Sequence, residues 1–287
     1  MKIEFYDVTL REGGQKFGIN FAPADKKTVA KMLLEDFGVD YIEAGWPFSN
    51  PSAMEFFKTS KQEMPELFNR YSAFGSTALS KHVDQDQNLL SILESGAKIA
   101  CIFGKSWDFH VPLINKTLEE NVQNVEDSIR FLKSNGCRVI FDAEHFFDGY
   151  KANPDYAIEV LKAAQKGGAF NLSLCDTNGA AMPSEVFGIT EDVIRKINLP
   201  VSLHSHNDSG MADANALSFI QVCEKHDRDC MIQATMRGIG ERCGNTNLLT
   251  TIANIVIKMQ KPTNITEENL RKLTQVARMF NELLNEE

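Results

Sequence analysis

The chain has 287 residues, 24% of them charged and 43% hydrophobic, with a formal net charge of −9. These values exclude a collagenous, disordered or small disulfide-stapled chain, and the acidic balance argues against nucleic acid as a partner. No run approaches ~18 uninterrupted apolar residues, and the charged start from Lys2 to Val8 is not a signal-peptide core, so no membrane partner and a cytoplasmic protein are expected.

Short apolar β-rich runs alternate with longer amphipathic stretches. In chain order, strands are expected at 3–8, 39–44, 70–75, 98–103, 137–142, 170–175, 200–205 and 230–235. Helical patterns are clearest at 23–37, 84–95, 118–134, 153–167, 211–225 and 245–260. Pro23, Pro154 and Pro183 fall at first turns, and Gly38, Gly96, Gly136 and Gly167 follow helical runs where a left-handed cap favours glycine. One more helix is expected at about 264–287, opened by Asn264 or Thr266, with Glu286 and Glu287 as a solvated tail. Strand starts lie far enough apart for one crossover helix each. The expected fold is therefore α/β: a single (β/α)8 TIM barrel over about 3–260 with an extra C-terminal helix, all within one domain, 1–287. An open doubly wound sheet is the alternative, weakened by the lack of a Gly-rich phosphate turn. The six cysteines form no C-x-x-C pair and read as reduced, mostly core residues. Phe56 and Phe57 also read as core.

A barrel places its chemistry just after each strand. Polar residues cluster there: Asp7, Arg11, Glu12 and Gln15; Glu43 and Trp46; Lys105, Trp107, Asp108 and His110; Asp142, Glu144 and His145; Asp176, Thr177 and Asn178; His204, His206, Asn207 and Asp208; and Arg237, Glu241, Arg242, Cys243 and Asn245. Strand starts carry no such cluster. His204 and His206 are two apart on a strand, so both imidazoles point one way and can meet one cation. Glu12 can add an oxygen ligand if the barrel brings strand one near strand seven, and Asn245 another. Two His and a carboxylate also fit a non-haem iron oxygenase, but no all-β pattern accompanies them. Arg11 beside a metal suits a substrate carboxylate or a developing alkoxide; alone, Arg11–Glu12 reads equally as a surface pair. Cys243 reads more as packing than as a nucleophile, and Glu241–Arg242 as a structural pair. Asp142, Glu144 and His145 read as a solvated ion cluster or as catalytic groups.

Three segments in order carry a family resemblance: Asp7-Val8-Thr9-Leu10-Arg11-Glu12-Gly13-Gly14-Gln15, His204-x-His206-Asn207-Asp208 and Gly240-Glu241-Arg242-Cys243-Gly244-Asn245. The chain resembles the DRE-TIM metallolyases, a family that includes isopropylmalate, homocitrate and citramalate synthases and HMG-CoA lyase. The segments 39–51, 102–111, 142–154 and 174–183 resemble the catalytic barrel of the citramalate synthase branch. The resemblance implies a divalent cation (Mg, Mn or Zn) held by Glu12, His204 and His206 with Asn245 at or near it. Many relatives have Asp at the position of Glu12. It implies Arg11 and Gln15 on a 2-oxo acid, Thr177 on that acid's carboxylate, and Glu144 facing the methyl of acetyl-CoA. Trp46, Leu79 and Trp107 are candidates for shaping the pocket.

The implied reaction is a Claisen-type condensation of acetyl-CoA with a small 2-oxo acid, pyruvate among the candidates, by a homodimeric acyltransferase. The runner-up is a metal-dependent C–C lyase or aldolase; a third reading is a non-catalytic binding barrel. Synthases of the family continue past the barrel into accessory and regulatory segments, one of which carries a His thought to act as base. In this chain the last His is His226. Either a barrel residue such as Glu144 then serves as base or the reaction is not condensation, and feedback through a C-terminal domain is not expected.

Overall fold

The computed structural model describes residues 1–284. The expected alternation closes on itself. Eight parallel strands form one barrel: β1 (Ile3–Asp7), β2 (Tyr41–Gly45), β3 (Tyr71–Ser76), β4 (Ile99–Lys105), β5 (Arg138–Glu144), β6 (Asn171–Asp176), β7 (Val201–Ser205) and β8 (Cys230–Ala234). β1 pairs with β2 and closes on β8, with Ile3 opposite Cys230 and Asp7 opposite Ala234. β1 therefore does not adjoin β7, and Glu12 must reach past the end of β8 to meet the histidines.

Helices wrap the outside: α1 (Pro23–Lys31), α2 (Pro51–Glu63), α3 (Pro65–Phe68), α4 (Gln87–Ser95), α5 (Leu118–Ser134), α6 (Phe146–Ala152), α7 (Pro154–Gly167), α8 (Pro183–Lys196), α9 (Ala212–Lys225), α10 (Leu248–Ala253), α11 (Glu267–Arg271) and α12 (Leu273–Leu284). Their starts follow local chemistry. Thr117 accepts from the Glu120 N–H while Glu120 accepts from the Thr117 N–H, a reciprocal cap at α5. Asn50, Asp86 and Asn153 cap α2, α4 and α7 with side-chain oxygens.

Several boundaries differ from the pattern. The stretch 23–37 winds as α1 and then widens into a π-helix at Met32–Phe37, which turns Met32, Leu33, Leu34 and Phe37 all into the core. α7 runs through Gly167, and Gly168 takes the left-handed cap at φ 98°. The stretch 245–260 becomes helical only at Leu248, where Asn247 caps it, and ends in a second π-helix at Asn254–Lys258. The segment 264–287 is not one helix. Thr266 caps α11, and the Lys272 N–H bonds back three residues to the Asn269 carbonyl before α12 begins. α12 buries Val276 and Phe280. Glu286 and Glu287 lie outside the described residues.

Alternation along the strands sets two cores. Val201, Leu203, Leu172, Leu174 and Ile232 face the helices, while Tyr6, Ile99, Cys101, Ile140 and Met231 fill the barrel. Phe56 and Phe57 are fully buried in the helix-facing core. Among the described cysteines all are free, and all but Cys243 are buried. No helix of the described chain is long and apolar enough to cross a membrane.

Candidate metal and substrate site

The same alternation that puts Val201 and Leu203 outside puts His204 and His206 inside, at the C-terminal mouth. Their Nε2 atoms face each other at 3.3 Å. Glu12, from the loop after β1, brings Oε1 to 4.0 Å from His206 Nε2. The three offer one ligand atom each within a 4.8 Å cluster, and all three are buried. The loop Gly240–Asn245 folds back so that Asn245 bridges His206 in backbone and sets its amide 3.4 Å from His204 Nε2. Gly240 permits this approach: a Cβ there would stand 1.8 Å from Asn245 Oδ1.

The donor set fits a cation. Glu12 Oε1 and Asn245 Oδ1 are buried with no hydrogen-bond partner among the described residues. Such orphaned acceptors are costly unless something positive meets them. Burial, reinforced by His204, pushes the His206 imidazole down to about 3, so at neutral pH its lone pair is available. Burial works against the Glu12 charge, yet Arg11, His204 and His206 outweigh it and hold the carboxyl below its usual range.

The histidine is oriented from behind. His204 Nδ1 lies 2.9 Å from Gln233 Oε1. Gln233 Nε2 donates to Asp142 Oδ1 at 2.7 Å and to Ser173 Oγ at 3.1 Å, which assigns its oxygen to His204 and leaves His204 Nε2 without a proton, facing His206 Nε2 and the Asn245 amide nitrogen. The sequence pattern does not single out Gln233. Its only signal is a polar residue inside the otherwise apolar strand Cys230–Ala234.

Arg11 is not a surface residue. It ion-pairs with Glu12, donates from Nε to Glu43 Oε1 at 2.5 Å and lies 3.7 Å above the Phe74 ring. Burial opposes its charge, but Glu43 and Glu12 hold the guanidinium above its ordinary value. Glu43 in turn accepts from the Tyr6 hydroxyl at 2.7 Å.

Arg11, Glu12, Gln15, Glu144, Thr177, His204 and His206 line one cavity of about 260 Å³, walled by Trp46, Phe74 and Phe103. Thr177 Oγ1 accepts from the His145 N–H at 2.8 Å, leaving its own proton to donate elsewhere. Glu144 ion-pairs with Lys105. Of the proposed pocket-shaping residues, Trp46 lines the cavity, Leu79 is exposed beside a neighbouring groove, and Trp107 packs on His110 at 4.7 Å between ring centroids. Arg242 contacts Glu241 at 3.5 Å but is held more closely by Asp208, at 2.8 and 3.0 Å. Asp142 is a buried support of Gln233, not part of a solvated cluster.

The HMGL-like family model matches residues 2–279, and the chain belongs to that family. The (R)-citramalate synthase of Sulfolobus acidocaldarius is 43% identical over 284 residues, covering 98% of this chain and 53% of that protein. The chain thus spans about half the length of the curated relatives it matches. The HMG-CoA lyase of Bacillus subtilis superimposes with a TM-score of 0.79 at 23% identity, covering 99% of this chain and 94% of its own. An HMG-CoA lyase of Acinetobacter baumannii, solved with coenzyme A and 3-methylmalate, superimposes at 0.75 with 21% identity, covering 100% of this chain and 92% of its own. These similarities in structure establish the barrel.

Proposed function

We propose that this chain condenses acetyl-CoA with a small 2-oxo acid in a divalent-metal-dependent, Claisen-type reaction, as a citramalate-synthase-like acyltransferase. The observation that carries this reading is the buried cluster of Glu12, His204 and His206 with the Arg11 guanidinium against it. Relatives named (R)-citramalate synthase, matching nearly all of this chain, support the choice of reaction.

Glu12, His204 and His206 would hold the cation, and Asn245 Oδ1 would add an amide oxygen. A bound divalent cation supplies Lewis-acid polarisation of the ketone. Arg11, fixed by Glu43 and Phe74, presents positive charge where the alkoxide develops. Thr177 donates its free hydroxyl proton to the acid's carboxylate, with Gln15 as a second polar contact. Glu144, ion-paired with Lys105, takes a proton from the acetyl methyl. The enolate carbon bonds to the ketone carbon. Water then cleaves the thioester, releasing CoA.

Running the chemistry in both directions tests this reading. Metal-loaded protein is expected to release thiol from acetyl-CoA in the presence of at least one 2-oxo acid. Cleavage of citramalate or 4-hydroxy-2-oxo acids without any condensation would instead assign the site to a lyase or aldolase.

A further inference from the structure

The chain is acidic, yet one cavity runs against that balance. It occupies about 620 Å³ beside the first turns of α1 and α2 and shares Arg11, Gln15 and Trp46 with the catalytic cavity. Two cations, Arg11 and Lys26, line it, and among the described residues no Asp or Glu does. Arg11 is committed to Glu12 and Glu43. Lys26 is not committed. It is only 8% exposed, and its ammonium lies 5.6 Å from the Phe56 ring centroid. Among the described residues no carboxylate pairs with it. Burial pushes its ammonium below the ordinary range.

A buried cation with no anion is costly, and its place near the N-terminus of α1 adds to the cost, because that end of a helix repels positive charge. Both penalties disappear when an anion enters. Neutral polar residues accompany Lys26: Asn20 and Ser52 line the same space.

We propose that this cavity binds a phosphate-type oxyanion, with Lys26 as its counter-charge and Asn20 and Ser52 as further donors. Two sources present that chemistry: free phosphate, and the diphosphate of a nucleotide-bearing thioester. The second source rests on the acyl-CoA reading above, and the walls shared with the catalytic cavity give a long ligand a continuous path between the two. The first is independent of it.

The test is calorimetric titration of the full chain, with no metal or acyl donor added, using inorganic phosphate, ADP and chloride at matched ionic strength. Saturable binding of phosphate or ADP, and none of chloride, is expected. Lys26→Met keeps the buried stem and loses the charge, so it should bind at least about tenfold more weakly while melting no lower than the wild type in phosphate-free buffer. Lys26→Arg should retain binding, which covers the case of a poorly folded methionine variant. ADP binding more than about tenfold tighter than phosphate assigns the site to a nucleotide diphosphate, and comparable affinities assign it to free phosphate. No saturable binding of either anion, or undiminished binding by folded Lys26→Met, overturns the proposal. Neither result bears on thiol release, so failure here is distinguishable from failure of the condensation reading.

Discussion

Arg11 Nε donates to Glu43 Oε1 at 2.5 Å, from the loop after β1 to the neighbouring strand β2. Glu43 is fully buried and Arg11 nearly so. The pair fixes the guanidinium on the Phe74 face, from where it also meets Glu12. Removing Glu43 leaves a buried cation with one carboxylate in place of two. Glu43→Ala is expected to lower the unfolding free energy by about 3–5 kcal/mol, the usual cost of breaking a buried ion pair from one side. Urea unfolding measures this; a loss below about 1 kcal/mol would show that the pair does not hold Arg11 in place.

Gln233 sets the tautomer of His204 and is itself held by Asp142. Gln233→Leu removes that support without touching a ligand atom. Affinity for Mn²⁺ or Zn²⁺, measured by titration calorimetry, should fall about 10–100-fold. Unchanged affinity would place the histidine's orientation elsewhere.

Thr177 receives the His145 N–H and has a proton to give. Thr177→Val keeps shape and deletes that donor. KM for the 2-oxo acid should rise about tenfold, with KM for acetyl-CoA and metal affinity nearly unchanged. An equal rise in both KM values would mean that the substitution disturbs the mouth as a whole.

Burial pushes the Asp7 carboxyl from 3.8 up to about 7, even though it accepts from the Thr9 N–H and hydroxyl. The raised value means that the folded state favours protonated Asp7. Its stabilising contribution is complete below about pH 4 and is lost as pH rises through about 7. The stability of wild type relative to Asp7→Asn should therefore fall between these limits by up to about 4 kcal/mol. Unfolding curves across that range check the sign: a difference that grows with pH would contradict a raised carboxyl.

Much of the fold is legible because eight short apolar β-rich runs alternate with longer amphipathic stretches, and the strand ends collect polar residues that have no role in a core. His204 and His206 were legible because two positions on a strand share a face. The supports were not. Glu43 and Gln233 do their work through neighbours fixed by barrel closure, Tyr6 and Arg11 for one, His204 and Asp142 for the other. A sequence shows that such polar residues interrupt apolar strands, not whom they meet. The break at Lys272 and the two π-helices are not legible for a similar reason: Met32–Phe37 reads as ordinary amphipathic helix until packing demands that adjacent apolar residues all turn inward.

In the proposed reaction, Glu12, His204 and His206 hold the cation that makes a 2-oxo acid electrophilic toward acetyl-CoA. The direct measurement is free thiol released from acetyl-CoA by purified protein, across a panel of 2-oxo acids, with and without Mg²⁺, Mn²⁺ or Zn²⁺. Release is expected to require both a 2-oxo acid and a metal, to be abolished by chelation, and to be lost in His206→Ala. Thiol release that survives chelation and the His206→Ala change, or no release with any acid and metal, would contradict it.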